Sequence, residues 1–236
     1  ALLKGRGCIV NNPEFCLEKL SLINYYRFTG YLLPFKEGDN YIKGTIFEKI
    51  YYIYEFDRKL RNVILQALEV IEVSLRTKLS YFHSFKYGQL GYLDSNNFNK
   101  HHNSIIFQGN INTEIQRNKR ILFVEHHIKK YNGEFPLWVL VELFSFGMLS
   151  YFYSDLHTSD QKEIAIQYNV NFKDLRSWLR CLTDLRNICA HFGRLYYRIF
   201  SSSPSNIKLS EKNKRRLWAY MLVLKNVYPS NEKWNS

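Results

Sequence analysis

From Ile50 to Leu79 the sequence carries neither proline nor glycine, and Ile50, Ile53, Tyr54, Leu60, Ile64, Leu68, Ile71, Leu75 and Leu79 recur largely at three- and four-residue steps. That spacing puts apolar side chains along one stripe of an α-helix and cannot line one face of a strand. The surrounding segment, "GTIFEKIYYIYEFDRKLRNVILQALEVIEVSLRTKLSYFH", predicts one helix, or two in line, over 44–83. Thr45 and Glu48 have the T-x-x-E spacing of a capping box at its start. An element of about 60 Å must be covered along much of its length, which points to a helical fold.

The remaining periodicity is helical too. Asn12 is a candidate N-cap, with Pro13 at the first helical position where a missing N–H costs nothing. Gly30 and Pro34 are expected to break the chain, and the Asn-rich stretch 84–111 reads as a loop. Helices are expected over 112–131, 136–146, 159–168, 172–192 and 211–227, with Gly193 as the left-handed residue that closes the helix 172–192. No strand pattern competes, and "SSSPSN" at 201–206 is the one linker candidate. The expected fold is a single all-α domain over 1–236, built on a long central helix and a C-terminal motif helix.

With 46% hydrophobic residues, 18 Tyr and 17 Phe, the chain has ample material for a core. Its net charge of +12 favours a polyanionic partner, with a solvated basic protein as the plainer reading. Cys8, Cys16, Cys181 and Cys189 show no C-x-x-C spacing and read as reduced thiols, so a cytoplasmic setting is expected. The most apolar run, "FPLWVLVELFSFGMLSYFY", is broken by Pro136, Glu142 and Gly147, so no membrane span is expected, and no secretory signal is read.

Chemistry concentrates in "DLRNICAHFGRLYYR", residues 184–198. Asn187 and His191 are four apart and share a helix face, while the long side chain of Arg186 can sweep toward the same phosphate. Together they offer a planar phosphate clamp, an amide and an imidazole able to move a proton near neutral pH. The plainer alternative is a basic helix end whose side chains satisfy the last carbonyls.

"RNICAHFGRLYYR" resembles the R-N-x-x-x-H signature of HEPN ribonucleases, in the version carried by the Abi-type abortive-infection proteins of bacteria (the AbiD/AbiF group). "LLKGRGCIV", "INYYRFTGYLLPF", "IYEFDRKLRNVILQALEVIEVSLRTKL", the run from Phe135 to Tyr153 and "YMLVLKNVYPSNEKW" resemble other blocks of that family, in order. One departure is visible, because the family often has His-His where this chain has His191-Phe192. The resemblance implies metal-independent RNA cleavage by attack of the ribose 2′-hydroxyl, with no cofactor. It implies His191 as acid/base, Arg186 as phosphate stabiliser and Asn187 as a positioning group. It also implies a homodimer whose two motifs face each other, and an RNase toxin of anti-phage defence. A structured non-coding RNA, acting as antitoxin, is a credible restraint on such a basic toxin. A non-catalytic RNA-binding protein on the same scaffold is the alternative, and neither DNA nor membrane is expected as a partner.

Further charges have two readings each. Asp57, Arg58, Arg61, Glu69, Glu72 and Arg76 lie on the long helix, and Asp57–Arg61 and Glu72–Arg76 are i, i+4 pairs with the acid first. They read as solvated surface pairs or as a shell that supports the motif helix, Glu72 and Arg76 above all. Lys212, Lys214, Arg215 and Arg216, with Lys208, form a basic stretch that could follow an RNA backbone together with Arg194 and Arg198. Tyr196 or Tyr197 could stack on an unpaired base. His101-His102 and His126-His127 lack ligand-spaced partners and read as surface or loop rather than metal. His83 and His157 read as structural, and Trp178 and Trp218 as core.

Overall fold

The computed structural model describes residues 2–229, and every long element in it is helical. Twelve α-helices and one two-residue hairpin occur among the described residues, so the fold is all-α. The chain divides into two compact units, Ala1–Gln66 with Asn187–Ile199, and Ala67–Arg186 with Phe200–Ser236.

The first unit holds α1 (Leu2–Gly5), α2 (Pro13–Leu22), α3 (Tyr25–Leu32), the hairpin β1 (Lys36–Glu37) and β2 (Asn40–Tyr41), and the first part of α4 (Phe47–Tyr87). Asn12 caps α2 as expected, its side-chain oxygen accepting the Phe15 N–H at 2.9 Å with Pro13 in the first turn. Gly30 does not break the chain, since it lies inside α3. Phe28, Tyr31 and Leu32 from α3 join Phe47 and Ile50 from α4 in the core.

The expected capping box is not formed. Thr45 donates its hydroxyl to the Ile42 carbonyl at 2.7 Å, and Glu48 accepts the backbone N–H of Asn12 at 2.8 Å. The reason is tertiary: Ile9 exchanges backbone bonds with Thr45 and Phe47, at 2.8 and 2.9 Å, and this bridge sets the entry to α4.

The second unit holds the rest of α4, then α5 (Ser104–Arg117), α6 (Leu122–Lys130), α7 (Leu137–Leu140), α8 (Phe146–Asp155), α9 (Thr158–Ile166), α10 (Phe172–Ala190) as far as Arg186, α11 (Glu211–Lys214) and α12 (Leu217–Val227). Ile71, Leu75 and Leu79 of α4, Phe152 and Tyr153 of α8, and Leu179 and Leu182 of α10 are buried there. Four expectations change. Helix α5 begins inside the stretch read as loop, capped by Asn103 at the Ile106 N–H, 3.0 Å. The expected helix 112–131 is split between α5 and α6. The expected helix 211–227 is interrupted at Arg215 and Arg216. And 201–206 is no linker: Trp178 donates its indole N–H to the Ser205 carbonyl at 2.8 Å, and the Ser205 hydroxyl donates to Asp174 at 2.6 Å.

Trp178 is core, as read, but Trp218 is 63% exposed. His102 is not a surface residue. Its ring stacks on Phe98 with centroids 4.1 Å apart, and its Nδ1 lies 2.9 Å from Asp155. His83 is fully buried among Tyr87, Phe98 and Phe152, with neither ring nitrogen bonded. No described helix is long and apolar enough to cross a membrane.

Candidate functional site

Helix α10 stops one residue short of His191, yet the His191 N–H still bonds the Asn187 carbonyl at 3.0 Å. The imidazole therefore follows Asn187 by one turn, and both side chains are exposed. Beyond it the Phe192 N–H bonds the Cys189 carbonyl at 3.1 Å, and the Gly193 N–H bonds the Ile188 carbonyl at 2.6 Å. This is a Schellman cap, in which Phe192 (φ 56°), and not the expected Gly193, takes the left-handed position. Glycine is required at 193 for space: a Cβ there would sit 2.9 Å from the Ile188 side chain and 3.0 Å from its carbonyl oxygen.

The turn after the cap is held by a buried charge pair. Asp57 and Arg61, both nearly inaccessible, form an ion pair within α4. Asp57 also accepts the backbone N–H groups of Leu195 at 3.2 Å and Tyr196 at 2.8 Å. Tyr31 donates its hydroxyl to the same carboxylate at 2.7 Å, and Arg61 reaches the Gly193 carbonyl at 3.3 Å. Arg27 donates to the Phe192 carbonyl. The pair is thus no solvated surface bridge, because it supplies the partners that this turn's backbone lacks. Arg27 and Tyr31 were not singled out from sequence. Their one local signal is a four-residue spacing on α3.

Arg186 belongs to the second unit, where its Nε lies 3.8 Å from Glu72. Glu72 also binds Arg76 at 2.7 Å, and Arg76 donates in turn to the carbonyls of Val141, at 3.1 Å, and Phe144. Arg76 is therefore satisfied by three acceptors, leaving Glu72 to steady Arg186, whose side chain keeps about a third of its surface exposed (35%). Of the charges on α4, Asp57 and Arg61 bond the turn after the motif helix and Glu72 lies near Arg186, whereas Arg76 bonds Glu72 and the Val141 and Phe144 carbonyls.

The other expected contacts are spread out. Arg194 lies over the Tyr31 ring at 5.9 Å and against Gly30, with a buried Nη1. Arg198 donates to the Arg194 carbonyl at 3.3 Å. Tyr197 is exposed, also with positive φ (56°), and its ring lies tilted against Tyr196, centroids 5.1 Å apart. Lys212 is exposed on α11, Lys214 pairs with Glu211 at 2.7 Å, and Arg215 donates to the Phe200 carbonyl at 2.8 Å. Arg216 precedes α12. No cluster of three or more His, Cys, Asp or Glu side chains suited to a metal occurs among the described residues. All four cysteines are free and buried, and burial pushes the Cys189 thiol up to about 12 and the Cys181 thiol to about 11.

A family model described as Abi-like protein matches residues 18–197, most of the chain. The chain belongs to the Abi-like protein family. That membership ties it to abortive infection, a defence against phage. The matched span of this Abi-like chain takes in the Asp57–Arg61 pair, Glu72 and the whole of α10, and leaves Arg198 and the basic residues 212–216 outside. No curated protein and no solved structure matches the chain.

Proposed function

We propose that this Abi-like chain is an endoribonuclease toxin of anti-phage defence, of the HEPN type and independent of metal. The observation that carries the reading is the exposed His191 imidazole, one turn past Asn187 on the helix that also bears Arg186. In the reaction the ribose 2′-oxygen attacks the adjacent phosphorus and the bond from phosphorus to the 5′-oxygen breaks. The products are a 2′,3′-cyclic phosphate and a 5′-hydroxyl. His191 takes the 2′-hydroxyl proton or delivers one to the leaving oxygen, the two ends of one acid–base cycle. Arg186, steadied by Glu72, meets the charge that builds on the phosphoryl oxygens, and Asn187 orients the phosphate. Tyr197 offers an exposed ring to an unpaired base, and Lys212 and its basic neighbours follow the backbone.

The active form is a homodimer. Helix α4 presents an outward stripe, Tyr52, Phe56 and Val63 in one unit and Val70, Val73, Tyr81 and Phe85 in the other, all exposed. Steps of three, four, seven and eight along this stripe keep to one helix face and suit helix-against-helix packing. A structured RNA restrains the toxin, drawn by the net charge of +12.

The test is cleavage of RNA in EDTA by the purified chain and by its His191→Ala variant, with product ends mapped. Cyclic-phosphate ends made by the first and absent from the second support the reading. RNA bound by both and cut by neither makes the chain an RNA-binding protein, and equal cutting by both removes His191 from the mechanism.

A further inference from the structure

A cleft of about 380 Å³ lies in the Ala67–Arg186 unit, and no motif residue lines it. Gln89, His126, His127, Tyr131, Glu134 and Trp138 are among its lining residues. The segment that carries them is pinned by its backbone. After α6, Asn132 (φ 52°) and Gly133 (φ 80°) turn the chain; the Gly133 N–H bonds the His127 carbonyl at 3.1 Å and the Glu134 N–H bonds the Tyr131 carbonyl at 2.9 Å. The Leu137 N–H then bonds the Gln89 carbonyl at 2.9 Å, which fixes α7 beside the end of α4. A cleft held this way exists before any ligand arrives.

Its walls are aromatic, and His127 and Glu134 supply acceptors among its polar groups. Tyr131 and Trp138 leave 46% and 48% of their surface in water, a large apolar area to leave uncovered. His127 stacks on Phe135 at 5.1 Å, and its Nδ1 lies 2.8 Å from the Phe123 carbonyl. A carbonyl can only accept, so Nδ1 carries the hydrogen and Nε2 of the neutral ring is left as an acceptor. Glu134 adds a carboxylate, which accepts twice.

We propose that this cleft takes a guanine base of a single-stranded RNA, an inference that rests on the RNA reading above. A flat ring stacks on the indole or phenol. The adjacent N1–H and N2–H groups of guanine meet the two oxygens of one carboxylate, here that of Glu134. Adenine and cytosine put a ring lone pair at that place and are repelled. Uracil offers a single N–H between two carbonyls. Lys129, paired with Glu125, and Lys130 are exposed at the end of α6, next in sequence to the lining residue Tyr131, with the Lys130 ammonium 5.5 Å from the Tyr131 ring, and they add positive charge for a phosphate of the same strand.

The experiment is calorimetric titration of the intact chain with the four nucleoside 5′-monophosphates. Guanosine monophosphate is expected to bind at least about tenfold tighter than the others. Glu134→Gln removes that preference, and Trp138→Ala weakens every nucleotide on the order of tenfold, as loss of a stacking ring does. Trp138→Phe keeps binding and shows that the unit still folds. His191→Ala leaves these affinities unchanged, so a cleft that binds guanine stands even if the chain cuts no RNA. The proposal is overturned by absence of guanosine monophosphate binding at millimolar concentration, or by equal affinity for all four nucleotides. It is overturned also if tetramethylammonium occupies the cleft and guanosine monophosphate does not displace it, since the rings and Glu134 would then form a cation cage.

Discussion

Asp57 holds Tyr196 by its backbone: the carboxylate accepts the Tyr196 N–H at 2.8 Å, across 139 residues of sequence. The other oxygen of that carboxylate serves Leu195, Tyr31 and Arg61, so one side chain gathers the turn that follows His191. Asp57→Asn keeps the shape but leaves the Arg61 charge buried without its partner. Stability should fall by about 3 kcal/mol, the lower end for breaking a buried ion pair. Urea unfolding measures it, and a loss below about 1 kcal/mol would mean the pair is no more than a surface bridge.

Phe192 sits at φ 56° and is 67% exposed. The left-handed region strains a residue with a Cβ, and the exposed ring returns little. Phe192→Gly is therefore expected to stabilise by roughly 0.5–1 kcal/mol, although glycine next to glycine loosens the unfolded chain. Gly193→Ala is expected to do the reverse, because its Cβ meets Ile188 at 2.9 Å. Thermal melts of the two variants should move in opposite directions.

His83 is buried with both ring nitrogens unbonded, and burial lowers its pKa from 6.5 to about 4. The folded value lies below the unfolded one, so the unfolded chain binds the proton more readily. The associated stability is complete above about pH 6.5 and is lost as pH falls toward 4, by about 3 kcal/mol in all. His83→Phe should flatten that acid limb. Urea midpoints at pH 7 and pH 5 decide the matter, and equal slopes for both proteins would exclude His83 as the cause.

Arg186→Gln should slow RNA cleavage about a hundredfold, the effect of removing one preorganised donor from a phosphoryl oxygen. Its side chain is 35% exposed and Arg76 keeps Glu72 paired, so the melting temperature should hold. Arg186→Lys retains the charge without the planar fork and should restore only part of the rate. Full activity in the glutamine variant would remove Arg186 from the site.

Val63 is exposed on the outward stripe of α4, so Val63→Glu should leave the fold of a single chain intact. If the stripe is the dimer contact, light scattering should report the mass of two chains for the parent and of one for the variant. A parent that scatters as a monomer across the micromolar range ends the homodimer proposal.

Periodicity is a local property, and what it specifies was legible. Ile64, Leu68, Ile71, Leu75 and Leu79 lie on the buried side of α4, and the i, i+4 step puts Asn187 and His191 on consecutive turns of one face. Asn12 caps α2 because donor and acceptor are three residues apart. Whatever depends on a distant partner was not legible. Thr45 and Glu48 have capping spacing, but the Ile42 carbonyl takes the Thr45 hydroxyl and N–H, and the distant Asn12 N–H takes the Glu48 carboxylate. Phe192 accepts positive φ because long-range bonds from Arg27 and Asp57 hold the turn around it. Asp57–Arg61 looked like any acid–base pair on a wet helix. Spacing says which two charges can meet, but only the tertiary fold says what covers them and whether unpaired backbone groups lie within reach, and those two conditions turn a weak surface bridge into the clamp behind His191.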